Sequence, residues 1–466
     1  MLKKVLIANR GEIACRILRT CKRLGVGTVA VYSDADAGAL HVSLADEAVR
    51  IGQPPVKDSY LNVEAVLAAA KQTGADSVHP GYGLLSEKAS FAIEVAAAGL
   101  TFIGPPPAVL DAFGDKIKAR QAARAAGVSP PPGSDGPIDA GDLAALTAEA
   151  ERIGYPLLVK AAGGGGGIGM QIVEEASKLA RAVQACSDRG RSAFADPRVY
   201  LERYIRAPKH IEVQVLCDAH GGAVALGERE CSAQRRHQKI IEESPAAAPF
   251  FAGEEGEARR QKLFADALRI VTMAGYVNAG TVEFVASPEG ELFFLEVNAR
   301  LQVEHCVTEM CTGIDLVEQQ LRVAAGERLS PEILAPTRRG SSIEARVYAE
   351  DPAKKFAPQP GRLAKLVWPE AAEDLRIETG VIEGLEITPY YDPLIAKIVA
   401  HGATRTEAIA RLDRALAETT LELVGPAGPA GTNLGFLRKV LAAEAFVSGR
   451  YDTLFAEALA KESAKK

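Results

Sequence analysis

The segment AGTVEFVASPEGELFFLEVNARLQVEH (279–305) restricts the fold more than any other stretch of the chain. In its second half Leu295, Val297, Ala299, Leu301 and Val303 alternate with Glu296, Asn298, Arg300, Gln302 and Glu304. Successive side chains of a strand point to opposite faces, so the five polar residues share one face wherever the backbone stays extended. SPEGE marks a hairpin turn centred on Glu289–Gly290. A two-residue turn there pairs Ser287 with Leu292 and sets Glu283 opposite Glu296. Opposed residues have Cβ atoms about 4.5–5.5 Å apart, where like charges repel. A divalent cation on oxygen ligands would offset that repulsion, with Asn298 as a third ligand. Carboxylates plus substrate phosphates are how magnesium is usually held in ATP-using enzymes. The alternative is a solvated edge face bridged by Arg300, which would be expected to carry Lys and Thr as well. A one-residue bulge would break this register.

Composition narrows the classes. With 466 residues the chain is long enough for two to four domains. Its 54 basic and 60 acidic side chains leave a net charge of −6, too small and too well mixed for a nucleic-acid or polybasic membrane binder. No apolar run is long enough to span a bilayer, and charge returns at Arg10 and Glu12, which argues against a signal peptide. The seven cysteines form no C-x-x-C pair, so free thiols in a reducing cytoplasm are expected rather than a zinc site or a disulfide scaffold.

Along the first hundred residues, strand-like runs (KVLIAN, TVAVYS, SVHPGYG) alternate with helical patterns, one with Ile13, Ile17, Cys21 and Leu24 on a single face. This alternation predicts a parallel α/β sheet. The first turn is NRGE rather than G-x-G-x-x-G, so no NAD site is expected. The Pro-rich stretches 104–109 and 129–137 are candidate boundaries or hinges. Residues 140–200 read as a compact unit of helix, strand, glycine run, strand and helix. Antiparallel-type strands are expected over 200–310, further strands over 340–400, helices over 405–418 and 433–460, and a disordered AKESAKK tail. No internal repeat is visible.

Gly163 to Gly167 follow a strand ending at Lys160. Five bare backbone amides can close on an anion. No G-K-[ST] follows, so this is not a Walker loop; a flap over phosphates is expected, with a flexible linker as the alternative. GERECSAQRRHQKIIEES (227–244) interleaves Arg229, Arg235, Arg236, His237 and Lys239 with glutamates, which suits a small-anion site better than a nucleic-acid patch. His41, His220 and His401 read as structural.

Together, KVLIANRGEIACRI, HPGYGLLSE (79–87), FGDKI, KAAGGGGGIGM, ERECSAQRRHQK, FLEVNARLQVEH, EARVYAEDP and PYYDPLIAKI resemble the biotin carboxylases, the ATP-grasp component of biotin-dependent carboxylases, over roughly Leu2 to Tyr451. The resemblance implies an α/β and α+β architecture: a Rossmann-like N-terminal domain (1–114), an ATP-grasp domain (115–318, lid about 132–204), a β-rich C-terminal domain (319–451) and a tail (452–466). It implies that Lys116, Lys160, Gly166, Gly167, Gln234 and His237 serve ATP, that Glu202, Arg203 and Ile205 read adenine, and that His210 holds ribose. It assigns Glu283, Glu296 and Asn298 to Mg²⁺ or Mn²⁺. Lys239, Arg300, Gln302 and Val303 would form the bicarbonate pocket, Glu304 would be the base, and Arg346 and Tyr82 would face biotin.

The implied reaction is ATP- and bicarbonate-dependent carboxylation of biotin through carboxyphosphate. The expected partners are a biotin carboxyl carrier, a carboxyltransferase component and a second copy of the chain. The acceptor expected first is acetyl-CoA; another acyl-CoA or a urea-type acceptor is the alternative. A carboxylate–amine ligase and a non-catalytic nucleotide-binding subunit are the competing classes. Two positions depart from the family pattern. Ile168 stands where Arg or Lys usually follows the glycines, as in urea-type carboxylases, and Cys306 stands in place of Pro, read as a small buried thiol. No A-M-K-M motif is present, so biotin is expected to arrive on a carrier outside this sequence.

Overall fold

The computed structural model describes residues 2–138, 142–162, 169–236 and 238–463. The N-terminal sheet has five strands in the order Glu47–Gly52, Gly27–Ser33, Lys4–Ile7, Ser77–His79 and Thr101–Phe102. Every pairing is parallel. Val5, Leu6 and Ile7 are wholly buried, as a strand covered on both faces requires. The helix Gly11–Arg23 buries Ile13, Ile17 and Cys21 as predicted. It also buries Glu12, Arg16 and Thr20, a polar stripe at i, i+4 and i+8.

The glycines of HPGYG have a definite task at Gly81. Its φ is +62°, and a Cβ there would lie 2.8 Å from the Asn9 amide nitrogen. That nitrogen donates to the carbonyls of Pro80 and Tyr82 at 2.7 and 2.8 Å. The close approach fixes the turn that presents Tyr82.

The lid unit is a separate three-stranded antiparallel sheet, Met170–Val173, Leu157–Ala161 and Val199–Arg203, backed by the helices Leu143–Ile153 and Leu179–Phe194. It has its own core, including Leu146, Ile153, Leu157, Val183 and Leu201. The Pro-rich stretches behave differently from simple breaks. Pro107 sits in the first turn of the helix Pro107–Gly114, where a missing N–H costs nothing. Residues 129–138 run beside the lid strand, with Arg203 N donating to Pro132 O at 2.7 Å and Ser134 N to Leu201 O at 2.8 Å. The expected glycine flap lies outside the described residues.

The third sheet carries the cleft. Its eight strands run Leu292–Asn298, Asn278–Ala286, Lys209–Cys217, Ala223–Arg235, Gln238–Ser244, Ser341–Tyr348, Leu394–Gly402 and Leu375–Thr379, all antiparallel. The antiparallel pattern expected for 200–310 therefore continues unbroken into the strand-rich 340–400 region. A further four-stranded sheet and the helices Arg405–Glu418, Leu434–Ala442 and Glu444–Val447 complete the C-terminal part. The helix Phe455–Ser463 begins inside the helical stretch expected over 433–460, with Ala456 buried and Leu459 and Ala460 packed on the C-terminal core, and runs on through Lys461, Glu462 and Ser463 of the segment expected to be disordered. The last three residues lie outside the described ones. Among the described residues no helix is long and apolar enough to cross a membrane.

Candidate functional site

Glu283 does stand opposite Glu296, but by another route than a two-residue turn. The turn takes one more residue, so Ala286 rather than Ser287 faces Leu292, with Ser287 N donating to Glu291 O at 2.9 Å. A register shift after Glu283 then absorbs one extra residue at Leu295 and restores the pairing. Two one-residue departures cancel at the position that matters. The alternation also ends earlier than expected. The strand stops at Asn298, residues 299–304 form an irregular bend, and Glu304 is the N-cap residue of the helix His305–Thr312.

The two carboxylates are charge-compensated by the protein. Glu296 is paired with Lys116, and Glu283 Oε1 takes Lys239 Nζ at 3.0 Å and Gln302 Nε2 at 2.7 Å. His210 Nε2 lies 3.1 Å from Glu283 Oε2. Burial opposes ionisation of Glu283, but Lys239 and His210 hold its carboxyl well below the usual range. The Glu283, Glu296 and Asn298 oxygens form a hard, all-oxygen donor set on neighbouring strands, which fits Mg²⁺ or Mn²⁺ rather than a thiophilic metal. The Asn298 Oδ1 is turned to Arg300 Nη2 at 2.8 Å, and Arg300 is held in turn by Glu87 at 3.0 Å.

Lys239 is the hub. Its ammonium reaches Glu212 and Glu304 at 2.6 Å each, besides Glu283. Burial disfavours its charge, yet the three carboxylates keep it protonated far above the ordinary lysine range. Glu304 is 2% exposed and is shared between Lys239 and Arg346 Nη2, the latter at 3.0 Å. Despite burial, these cations and Arg229 hold it ionised well below the usual carboxylate range. Arg346 also pairs with Glu242, whose carboxyl burial pushes up to about 7.

The remaining expected residues fall into two groups. Lys160 and Arg120 both close on Glu202, and against burial they keep it ionised. Glu202 also acts on the Lys116 charge, which ties this pair to the carboxylate hairpin. The Arg203 guanidinium caps the helix Leu143–Ile153 through the Ile153 carbonyl at 2.7 and 3.1 Å, a structural role for that side chain. Ile205 is half-buried beyond the lid strand. Gln234 is buried opposite Lys239 in the register. Tyr82 bonds to Glu12 and is close enough to Arg346 to sense its charge. Gly166, Gly167, Ile168 and His237 lie outside the described residues.

Four participants received no role from the sequence. Arg229, wholly buried, binds Glu212, Gln214 at 2.7 Å, Thr308 at 2.9 Å, Thr281 at 3.0 Å and Gln302 at 2.7 Å. Glu212 sits beneath Lys239, and Glu87 orients Arg300. Lys397 donates to the Val303 carbonyl at 2.6 Å. The quoted motifs contain Arg229, Glu87 and Lys397; only their three-dimensional pairing was missing. Cys306 is wholly buried and burial raises its thiol, in keeping with a packing role. His41, His220 and His401 each lean on a backbone carbonyl, of Val31, Gly326 and Arg339.

Comparisons with known proteins find relatives along nearly the whole chain. Residues 1–110 match the family described as biotin carboxylase, N-terminal domain, and residues 344–458 its C-terminal domain. Residues 115–332 match the carbamoyl-phosphate synthase L chain, ATP binding domain. A biotin carboxylase of Halalkalibacterium halodurans is 47% identical over 455 residues, covering 98% of this chain and 97% of that one. The propionyl-CoA carboxylase alpha chain of Ruegeria pomeroyi is 45% identical, covering 98% of this chain and 68% of its own length. Among solved structures, the biotin carboxylase domain dimer of Hydrogenobacter thermophilus 2-oxoglutarate carboxylase, with MgADP, ADP and bicarbonate, superposes with a TM-score of 0.92 at 41% identity, covering 98% of each chain. Campylobacter jejuni biotin carboxylase in a β,γ-ATP complex gives 0.92 at 40%, covering 98% of this chain and 99% of that one.

Proposed function

This chain belongs to the biotin carboxylase family, and we propose that its cleft carboxylates biotin, using ATP and bicarbonate, through the residues that converge on Lys239. The observation that carries this reading is the shared carboxylate of Glu304, held ionised by Lys239 and Arg346 at 2.6 and 3.0 Å. Bicarbonate is a poor nucleophile until a positioned base takes its proton. An anion entering between Glu304 and its cations draws Lys239 and Arg300 toward itself. Glu304, relieved of part of its compensation, becomes a stronger base. The bicarbonate oxygen attacks the γ-phosphorus, ADP leaves, and carboxyphosphate forms. Its breakdown gives CO₂ and phosphate, and that phosphate takes the ureido proton of biotin. Arg346 then stabilises the enolate-like oxygen by charge-assisted hydrogen bonding, and the ureido nitrogen attacks the CO₂ carbon, forming the N–C bond of carboxybiotin.

Glu283, Glu296 and Asn298 would hold Mg²⁺ or Mn²⁺, which supplies charge neutralisation of the phosphates. Lys116 and Lys239, paired here with Glu296 and Glu283, would be available to phosphate oxygens once ATP is bound. Lys160 would serve ATP from the lid, whose separate core lets it move as a unit. His210 would serve ribose, Gln234 and His237 the nucleotide, and Arg203 and Ile205 the adenine edge by their backbone. The proposed domains are 1–114, 115–318 with a mobile lid at about 132–204, and 319–451, followed by a tail at 452–466.

The proposed acceptor is an acyl-CoA, acetyl-CoA first, served through a biotin carboxyl carrier and a carboxyltransferase. A homodimer and a cytoplasmic setting complete the reading, the latter supported by seven free, buried thiols. The test is phosphate release from Mg-ATP with and without bicarbonate and free biotin. Release that requires bicarbonate and rises with biotin supports the reading; release indifferent to both overturns it in favour of another ATP-grasp ligase.

A further inference from the structure

Lys397 is wholly buried in the strand Leu394–Gly402, between Arg346 and Glu378 in the register. Its ammonium has three neighbours from different parts of the chain: the Val303 carbonyl at 2.6 Å, Glu12 Oε1 at 3.2 Å and Cys306 Sγ at 3.5 Å. Glu12 Oε1 is also the atom that takes the Tyr82 hydroxyl. The second Glu12 oxygen, Oε2, is buried and has no hydrogen-bond partner among the described residues. One carboxylate oxygen thus joins the tyrosine of the N-terminal turn to the lysine of the C-terminal strand.

Holding the Val303 carbonyl fixes the peptide plane from which Glu304 departs. The preceding plane is fixed as well, because His305 Nδ1 lies 2.8 Å from the Gln302 carbonyl. These two bonds hold successive peptide planes of an irregular segment that no strand ladder supports, beside the Leu301 carbonyl that takes Arg300 at 3.2 Å and the Ala299 amide that donates to Glu87 at 3.3 Å. A side chain needed only for packing at this depth would be apolar, since burying an ammonium is costly unless it is paired.

We propose that Lys397 is a positioning residue that sets the Val303–Glu304 bend from beneath and couples it, through Glu12, to Tyr82. The bicarbonate pocket and the biotin side are then aligned by one buried charge. This deepens the function proposed above and rests on its assignment of Val303, Glu304 and Tyr82.

The test compares Lys397→Met, Lys397→Arg and Glu12→Gln with the wild type, reading phosphate release against bicarbonate, ATP and free biotin, with a thermal melt on each. Lys397→Met is expected to lower kcat and raise the bicarbonate KM, a combined loss of roughly 10–100-fold, as small misplacements of a reacting group produce. The ATP KM stays at the wild-type value, and Lys397→Arg recovers part of the loss. Glu12→Gln keeps the carbonyl bond, so its main effect is a raised biotin KM, with a smaller rise for bicarbonate.

A folded Lys397→Met with a wild-type bicarbonate KM and kcat overturns the proposal, as does an equal rise in both substrate KM values. Should Lys397→Met not fold, Glu12→Gln decides: wild-type KM values for both biotin and bicarbonate overturn it. Glu304→Gln separates the two layers. If it still hydrolyses ATP in response to bicarbonate, the pocket assignment fails and this inference with it. If it is inactive while Lys397→Met behaves as wild type, only this inference fails.

Discussion

The N-terminal sheet and the eight-stranded sheet are both buried, yet by different means. Lys4–Ile7 carries Leu6 into one apolar core with Val29, Val31 and Val78, and Val5 and Ile7 into a second with Ile13, Ile17 and Leu316. The large sheet buries apolar residues too, among them Ile211, Val213, Val282 and Ile343, but adds Glu212, Gln214, Arg229, Glu242, Glu344, Arg346 and Lys397. The first is stabilised by removing apolar surface from water, at about 25 cal/mol per Å². The second persists because charges are paired, and a paired buried charge roughly breaks even while an orphaned one is costly. The difference teaches where function can reside: an apolar sheet is indifferent to substrate, whereas a compensated polar face can exchange its internal partners for a ligand's.

That contrast can be broken in several places. The largest effect falls on chemistry. Glu304→Gln should cut bicarbonate-dependent phosphate release by about 10²–10⁴-fold, the range for loss of a general base, with folding intact by circular dichroism. Next, Arg229→Met leaves Gln214, Thr281, Gln302 and Thr308 without their buried donor and Glu212 dependent on Lys239 for its compensation, and should cost about 3–5 kcal/mol in denaturant unfolding. Adding Glu212→Gln should restore part of that stability, a recovery that an apolar core does not offer. Leu6→Ala, in the other sheet, should cost about 2–5 kcal/mol through transfer and cavity terms alone, with no partner mutation that rescues it.

The pH response is smaller and reports on both regions. Burial depresses His41 to about 4, His79 to about 3 and His305 to about 4. These imidazoles stay neutral in the fold, while an unfolded histidine titrates near 6.5. Below pH 6.5 the unfolded state therefore binds more protons at these three positions, and their contribution to stability falls as pH drops toward 4. Glu230 and Glu242, which burial raises to about 7, and Glu344, also raised, contribute in the opposite direction. The slope is about 1.4 kcal/mol per pH unit for each histidine. Denaturant titrations at pH 7.5 and 5.5 should show it by difference, His41→Gln losing less stability on acidification than the wild type by about one histidine's share. Smallest of all is Arg198→Ala, which removes the exposed bridges to Asp115 and Asp196 at 2.8 and 2.6 Å. It should change stability by at most about 1 kcal/mol.

The same contrast explains what was legible in the sequence. Apolar periodicity announced the parallel sheet, the Gly11–Arg23 helix and the antiparallel middle. The opposition of Glu283 and Glu296 was also legible, although the longer turn and the shift at Leu295 were not, because no local residue marks either. The polar stripe of Glu12, Arg16 and Thr20 reads as solvated until its partners are known: Arg16 meets Glu309 and Asp315, almost three hundred residues away. The partners of Arg229 and Lys397 were invisible for the same reason. Long-range pairing has no period, and a charged side chain in a sequence looks exposed by default. Motif resemblance supplied the site residues that periodicity did not, without saying what holds them.

The central claim is that the Lys239–Glu304–Arg346 cluster carboxylates biotin. The most direct measurement is transfer of labelled carbon from bicarbonate to free biotin in the presence of Mg-ATP. The account predicts labelled carboxybiotin that requires ATP and disappears in Glu304→Gln. ATP hydrolysis in the wild type with no label reaching biotin would contradict it.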